Sequence, residues 1–127
     1  MIKFSCPRDS SFVILRQRGA QPKFNIVAIA NELARFERYD GALRILFDWS
    51  ELESWPYEPA ATIEGWYDRV PSIARAVFIH YPKWNRHAAL LAALLRVGKA
   101  EVRSFRPLDY DRAVNWLQQG ATNIRCH

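Results

Sequence analysis

Three carboxylates stand close together near the middle of the chain, at Asp48, Glu51 and Glu53. Paired carboxylates are the groups that glycosidases and proton-transfer enzymes use as acid and base. Carboxylates in a loop more often cap the following helix or stay solvated, because the N-terminus of a helix attracts negative charge. This cluster therefore does not by itself predict a catalytic pair.

Two histidines, His80 and His87, could be combined with Asp48 into an acid-base or metal site. They stand on either side of a predicted boundary between a strand and a helix, whereas paired zinc-binding histidines on a helix have i, i+4 spacing. The chain also contains no GxSxG, Walker or GxGxxG motif. We predict no catalytic residue, no metal site and no cofactor, and we expect that the protein is not an enzyme.

Aromatic side chains are concentrated in the same region of the sequence. Trp49, Trp55 and Tyr57 lie in a segment without regular period, and Tyr81 and Trp84 follow a later predicted strand. These rings either form the core and lid of a small sheet or provide a binding surface, and both interpretations remain open. The candidate residues for binding a partner or ligand are Asp48, Trp49, Glu53, Ser54, Trp55, Tyr57, His80, Tyr81 and Trp84.

The candidate residues follow two predicted strands. Ile45 to Phe47 is apolar without alternation, which is typical of a strand that is covered on both faces, and this run stops at Asp48. The next such run is Arg75 to Tyr81, which Pro82 ends. Ligands of open α/β sheets bind at the carboxyl ends of the strands, so we expect the site there, with Asp48 to Tyr57 as a loop.

The rest of the chain predicts an α/β fold. Ile2 to Cys6 alternates in polarity, and Phe12 to Arg16 is expected to pair back with it as a hairpin. Helical periodicity covers Pro22 to Arg38 and returns between Ile63 and Val70. We predict a single domain over residues 1–127, with a mixed five-stranded sheet in which an N-terminal β-hairpin is followed by α-β-α-β-α-β-α.

Two more helices complete this prediction. Trp84 to Arg96 is a very apolar helix, and Gly98 is expected to cap its end. Its wide apolar surface suits packing inside the domain or against a second copy of the chain. After a short strand from Glu101 to Phe105, Asp109 is placed to N-cap the final helix, which Gly120 closes.

Composition excludes several classes of protein. Half of the 127 residues are apolar, and no apolar run approaches the roughly 20 residues that span a bilayer. The N-terminus has no signal-peptide core, so we expect a cytoplasmic protein without a membrane span. Cys6 and Cys126 stand far apart and are interpreted as inert thiols.

The formal charge of +5 raises the question of nucleic-acid binding. Nucleic-acid binders concentrate Lys and Arg on one face, but here the basic residues are scattered along the chain. Residues 48–70 carry six acidic residues and one basic residue, so an acidic block lies at the expected functional edge. Nucleic acid is therefore not an expected partner.

Five fragments follow one another between Leu46 and Leu117, which is more than half of the chain. They are Phe47 to Trp55, Ile73 to Phe78, Trp84, Ala100 to Phe105 and Ala113 to Leu117. Their order and spacing resemble the SpoIIAA-like family of the STAS superfamily. The resemblance implies a small bacterial protein with a STAS-like fold, often dimeric and without an established catalytic centre. Related folds include anti-sigma-factor antagonists, transporter STAS domains and Sec14-like lipid binders.

The phosphorylated antagonists of this superfamily carry a D-S-S-G loop after the strand that ends in Asp. Matching Asp48 to the strand-ending Asp places Glu53 and Ser54 on the D-S and puts Trp55 where the serine that accepts phosphate would stand. Pro56 replaces the glycine and restricts the backbone. Acidic neighbours of Ser54 would repel a phosphate. The resemblance therefore does not extend to the phosphorylation switch.

The function that these observations predict is a non-catalytic STAS-like interaction or regulatory module. It would bind a protein partner, or associate with a second copy, through the carboxyl edge of its sheet. The alternative is a carrier or sensor of a small apolar or lipid-like ligand, held in an aromatic cleft.

Overall fold

A computed structural model describes residues 2–5, 12–20, 31–33, 43–55 and 72–119. Five strands form one sheet, and they follow each other across it in sequence order. The strands are β1 (Ile2–Ser5), β2 (Val13–Ala20), β3 (Leu43–Ser54), β4 (Ile73–Ile79) and β5 (Glu101–Phe105). β1 is antiparallel to β2, and the remaining neighbours are parallel. The predicted α/β class, with its mixed five-stranded sheet and N-terminal hairpin, is confirmed.

Two helices follow β4 and β5. A 3₁₀ turn, Pro82–Trp84, leads into α1 (Asn85–Val97), and a second, Pro107–Asp109, leads into α2 (Tyr110–Gln118). Residues 31–33 are also helical, within the first predicted helix. The helix predicted between Ile63 and Val70 lies outside the described residues, as do Tyr57, Gly120 and both cysteines. Within the described ranges, no helix is long and apolar enough to cross a membrane.

The sequential strand order determines which face each connection covers. Parallel strands are joined by right-handed crossovers, so a sheet that always grows in one direction places its connections on one face. Leu33 and α1 do share one face, where they pack on alternate residues of β3 such as Ile45 and Phe47. This face forms the larger of two cores.

The helix that follows β5 covers the opposite face of the sheet. α2 buries Ala113, Trp116 and Leu117 against Leu46 of β3 and Val77 of β4. Residues 45–47 are thus covered from both sides, as their unbroken apolar character indicates.

Two arginines from the sheet bind the C-terminal end of α2. Arg44 donates to the carbonyl oxygens of Leu117 and Gln119, at 2.7 and 2.6 Å, and Arg75 donates to that of Trp116 at 2.7 Å. Guanidinium groups there satisfy carbonyls that the helix leaves unpaired and complement the negative end of its dipole. These bonds stabilise the position of α2 on the sheet.

The end of α1 has the predicted cap, followed by a residue in the left-handed conformation. Gly98 is the C-cap, yet its φ is −79°, and Lys99 takes the left-handed conformation with φ 70°. The Lys99 amide bonds the carbonyl of Arg96 at 2.9 Å, and the Ala100 amide bonds that of Leu95 at 3.1 Å, which is the Schellman pattern. Gly98 is therefore the C-cap, as predicted, and Lys99 supplies the left-handed residue of the motif.

The N-terminus of α2 also differs from the prediction. Asp109 occupies the N-cap position, but its side chain makes no capping hydrogen bond. Its carboxylate instead pairs with Arg106 at 3.4 Å and with Arg112 at 3.8 Å. The acidic residue is still favourable beside the positive end of the helix dipole.

Candidate functional site

β3 extends well past β4 at the carboxyl edge of the sheet. The register of β3 with β4 ends at Asp48 and Ile79, whereas β3 continues to Ser54 in pairing with the end of β2. The sequence predicted a loop from Asp48 to Tyr57, but β3 includes residues 48–54, so the prediction is wrong for that part. We call residues 49–54 the β3 overhang.

Two register shifts occur along the β3 overhang. Arg16 and Arg18 pair with Asp48 and Glu51, so β3 contains one more residue than β2 in this interval. A second extra residue separates the partners of Gly19 and Ala20, and Gly19 has the left-handed φ of 66° there. Bulges of this kind shift the alternation of side chains and are common beside functional sites.

The bulges direct three large residues of one strand into the same core. Trp49, Leu52 and Trp55 all belong to the larger core cluster, although they are three positions apart rather than two. In a regular strand Glu51 and Glu53 would share the face of Trp49, and burying those charges would be costly. The observed register leaves both glutamates exposed.

The tryptophans pack against one another instead of lining a cleft. Trp49, Trp55 and Trp84 are 0%, 8% and 6% exposed. Ring centroids are 5.4 Å apart for Trp49 and Trp55 and 6.5 Å apart for Trp55 and Trp84. Among the described residues, the indole nitrogens of Trp55 and Trp84 are buried without a hydrogen-bond partner. These rings act as core, one of the two interpretations left open by the sequence.

His80 lies beside this cluster, at the end of β4. It is 7% exposed, and its ring centroid is 6.2 Å from that of Trp49. Nδ1 is 2.8 Å from the carbonyl oxygen of Tyr81, which can only accept, so Nδ1 carries the proton. Nε2 is buried and has no hydrogen-bond partner within the part of the chain that the structure describes.

Asp48 lies on the other face of the sheet, in a polar network. Its Oδ2 accepts from Nε of Arg16 at 3.1 Å, and its Oδ1 accepts from the amide and hydroxyl of Ser50 at 3.0 and 2.7 Å. Burial and the Asp48 charge raise the pKa of the Tyr110 phenol above its ordinary value of 10.0, while Arg16, which also hydrogen-bonds Tyr110, opposes the shift. The buried carboxylate is thus engaged by three donors.

An open groove of about 610 Å³ lies beside the β3 overhang. It is lined by Arg18 and Gly19 of β2, residues 50–53 of β3, and Tyr81 and Lys83 beyond β4. Arg18 and Glu51 form an ion pair at its wall. Its volume is within the range of roughly 300–1,000 Å³ that is usual for ligand sites.

The groove has an unusual origin for an α/β sheet. Ligand crevices in open sheets form where the strand order reverses, because neighbouring loops there diverge to opposite faces. The described strands show no reversal. The space arises instead because β3 is longer than β4 at this edge. After the extended Tyr81, the chain leaves the line of β4 in the 3₁₀ turn Pro82–Trp84.

The sequence-derived candidates separate into three groups. Glu53 and Tyr81 line the groove, and Ser54 is exposed at the end of the overhang. Trp49, Trp55, His80 and Trp84 lie in the aromatic core, while Asp48 lies across the sheet from them. Tyr57 is outside the described residues. Their role in binding remains a prediction, and within the described residues no three His, Cys, Asp or Glu side chains are grouped to hold a metal ion.

Several residues of the edge were missed by sequence reasoning. Arg16, Arg18 and Lys83 contact or line these sites, and Tyr110 reaches Asp48 from the final helix. The signal for the two arginines was present, because they follow the apolar run of a strand parallel to β3 and so lie at the same edge. Tyr110 had no such signal.

Comparison with known proteins agrees with the fold described above. The family model for SpoIIAA-like proteins matches residues 20–118. A crystal structure of an uncharacterized DUF3478-family protein with a SpoIIAA-like fold, from Shewanella loihica PV-4, superposes with a TM-score of 0.63. That alignment covers 92% of each chain at 15% identity, so it shows a shared fold. No curated protein matches the sequence.

The family match covers most of the chain, and it agrees with the resemblance found in the strand, loop and helix fragments between Leu46 and Leu117. The structural neighbour agrees with the mixed sheet and with the helices on its two faces. This protein belongs to the SpoIIAA-like family.

Proposed function

We propose that this protein is a non-catalytic interaction module that binds a partner protein through the carboxyl edge of its sheet. The observation that supports this most directly is the groove beside the β3 overhang. Its rim combines a half-exposed aromatic ring, Tyr81, with the charged side chains of Lys83 and Glu53. An exposed ring surrounded by charges is typical of protein interfaces, where aromatic residues provide affinity and charges provide specificity.

Catalysis at the same edge has less support from the geometry. Asp48 is 5% exposed and already accepts hydrogen bonds from Arg16 and Ser50. A general base must reach the proton of a substrate, and this carboxylate is turned into the protein.

A carrier of apolar ligands is also less favoured. Lipid-like molecules need a largely apolar pocket. Trp49 and Trp55, which would line such a pocket under the alternative prediction, instead pack against each other and against His87 of α1. The groove that is open has ionic walls.

Cross-linking in the native host cells tests the proposed function. Lys83 and Lys99 stand at opposite ends of α1 and are both exposed, but only Lys83 borders the groove. An amine-reactive cross-linker should join a partner protein to Lys83 and not to Lys99. The variants Lys83→Arg and Lys99→Arg, which keep the charge but remove the reactive amine, provide matched controls.

Two results would oppose the proposal. One is cross-linking of the partner through Lys99 with Lys83 unmodified, which would place the interface at the other end of the sheet. The other is that every cross-linked species persists when Lys83 is replaced by arginine, or that no cross-linked species forms at all. Native mass spectrometry of the cross-linked and untreated protein shows whether the partner is a second copy, and it also detects any retained small ligand.

A further inference from the structure

Among the described residues, the β3 overhang is paired on one side only. On one side it pairs with β2, but β4 stops at Ile79, opposite Asp48. Among the described residues, no strand pairs with residues 49–54 on the side towards β4. Backbone N–H and C=O groups along such an edge are available to an added strand.

The groove lies along this same edge. Residues 50–53 and their β2 neighbours Arg18 and Gly19 form one wall, and Tyr81 and Lys83, beyond the end of β4, form the other. A segment placed between these walls would occupy the position that β4 would hold if it were longer. From this geometry we infer that the groove accepts an extended peptide segment of a partner protein, which joins the sheet as a strand beside β3.

A second copy of the chain does not suit this edge. Symmetric pairing of two overhangs would bring the Glu51 and Glu53 carboxylates of both copies close together, and like charges across a strand pair are destabilising. Charged residues and bulges are also devices by which sheet edges avoid self-pairing. The β3 overhang has both.

The charged side chains of the groove determine which charges the bound segment should carry. Glu51 is paired with Arg18, whereas the ammonium of Lys83 lies 5.2 Å from the ring centroid of Trp84, without a carboxylate among the described residues. Glu53 likewise has no basic partner within those residues. The segment that fits best carries a basic side chain for Glu53 and an acidic side chain for Lys83. Its backbone supplies the pairing, and its charges determine its direction.

Selection of short linear peptides of random sequence on the full chain tests this inference. Bound peptides should carry both charge signs and should lose affinity for Glu53→Lys and Lys83→Glu but not for Lys99→Glu. All three side chains are exposed, and thermal unfolding of each variant checks that the fold is retained. Amide hydrogen exchange should show new protection within residues 50–53 when a peptide binds.

Backbone methylation of a selected peptide provides the sharper measurement. A strand directs alternate N–H groups to its neighbour. Methylating single peptide nitrogens should therefore weaken binding roughly 10-fold at every second position, the cost of one or two lost hydrogen bonds. Uniform tolerance of methylation, protection outside residues 50–53, or the selection of no peptide would overturn strand addition.

The inference rests on the proposed interaction function, and the experiments separate the two. Cross-linking of a partner to Lys83 without peptide binding would mean that a folded surface contacts the edge. In that case the proposed function would stand and strand addition would fall. If neither cross-linking to Lys83 nor peptide binding is observed, the proposed function is contradicted as well.

Discussion

The side-chain oxygen of Gln17 accepts a hydrogen bond from the indole nitrogen of Trp49, and both residues are almost completely buried. The pair lies within the first register shift between β2 and β3, next to Arg16 and Asp48. An amide in an apolar core is tolerated because it satisfies the one polar atom of the neighbouring indole. The bond thereby joins the two strands where their ladder is interrupted.

Replacing Gln17 by leucine should destabilise the fold. Gln17→Leu keeps a similar volume but leaves the Trp49 indole N–H buried without its acceptor, so we expect a loss of about 1–3 kcal/mol in the free energy of unfolding. Urea denaturation measures this loss. Adding Gln17→Leu to Trp49→Phe should cost less than Gln17→Leu alone, since the donor is already gone. If Gln17→Leu lowers the free energy of unfolding equally in the wild-type protein and in Trp49→Phe, the hydrogen bond contributes nothing to stability.

Removing the charge of Asp48 should have a comparable effect. Asp48→Asn loses the ion pair with Arg16 and weakens the acceptor for Ser50, and hydrogen bonds to charged groups contribute about 1.5–3 kcal/mol. The expected loss stays near this range because Arg16, whose side chain is 31% exposed, can be hydrated. Ser50→Ala is the control, because it removes one hydrogen bond to this carboxylate and keeps the ion pair with Arg16, so its loss should be smaller. If Asp48→Asn unfolds no more easily than Ser50→Ala, the ion pair is without net effect.

Tyr110 should make stability depend on pH in the alkaline range. Its pKa is raised in the folded state by burial and by Asp48, so the folded protein retains the phenol proton longer than the unfolded chain does. The unfolded state then binds fewer protons, and stability falls as the pH rises from about the ordinary pKa of 10.0 through the folded pKa. Below that window the contribution is fully present.

Denaturation curves measured across this pH range test the effect of Tyr110. Tyr110→Phe should lack this part of the alkaline loss, and Asp48→Asn should shift the phenol titration, followed by its ultraviolet absorption, towards lower pH. An unchanged alkaline slope in Tyr110→Phe would contradict the assignment.

The end of α1 offers a stabilising substitution. Lys99 holds a positive φ that suits glycine better, so Lys99→Gly should raise the free energy of unfolding by up to about 1 kcal/mol. Gly98 has a negative φ that any residue adopts, and Gly98→Ala should be tolerated. Thermal unfolding of both variants checks this contrast. If Lys99→Gly does not stabilise the protein and Gly98→Ala clearly destabilises it, then Gly98 is the residue whose backbone conformation requires glycine.

Much of the fold follows from patterns within short segments. The unbroken apolar run of residues 45–47 predicted a strand covered on both faces, and α1 and α2 do lie close to their expected limits. The hairpin and the parallel order also followed, because connection length restricts how strands can pair. The family fragments between Leu46 and Leu117 identified the same fold independently.

The carboxyl edge was decided by contacts between segments. Trp49, Leu52 and Trp55 have a spacing that matches neither strand nor helix, so their segment was interpreted as a loop, whereas two bulges against β2 make it a strand. Whether a bulge forms depends on which register best buries these rings while leaving Glu51 and Glu53 in water.

The sequence alone therefore determined the order of the strands, the helices α1 and α2 and the edge at which polar residues collect, because local periodicity reports which faces are buried. Only the tertiary structure decided that the tryptophan rings of this edge form core, that the charge of Asp48 acts on Tyr110, and that charged side chains stand in the wall of the open groove. Those outcomes depend on the register of β3 against its neighbours and on the length by which it exceeds β4, and neither quantity is encoded in the period of a single strand.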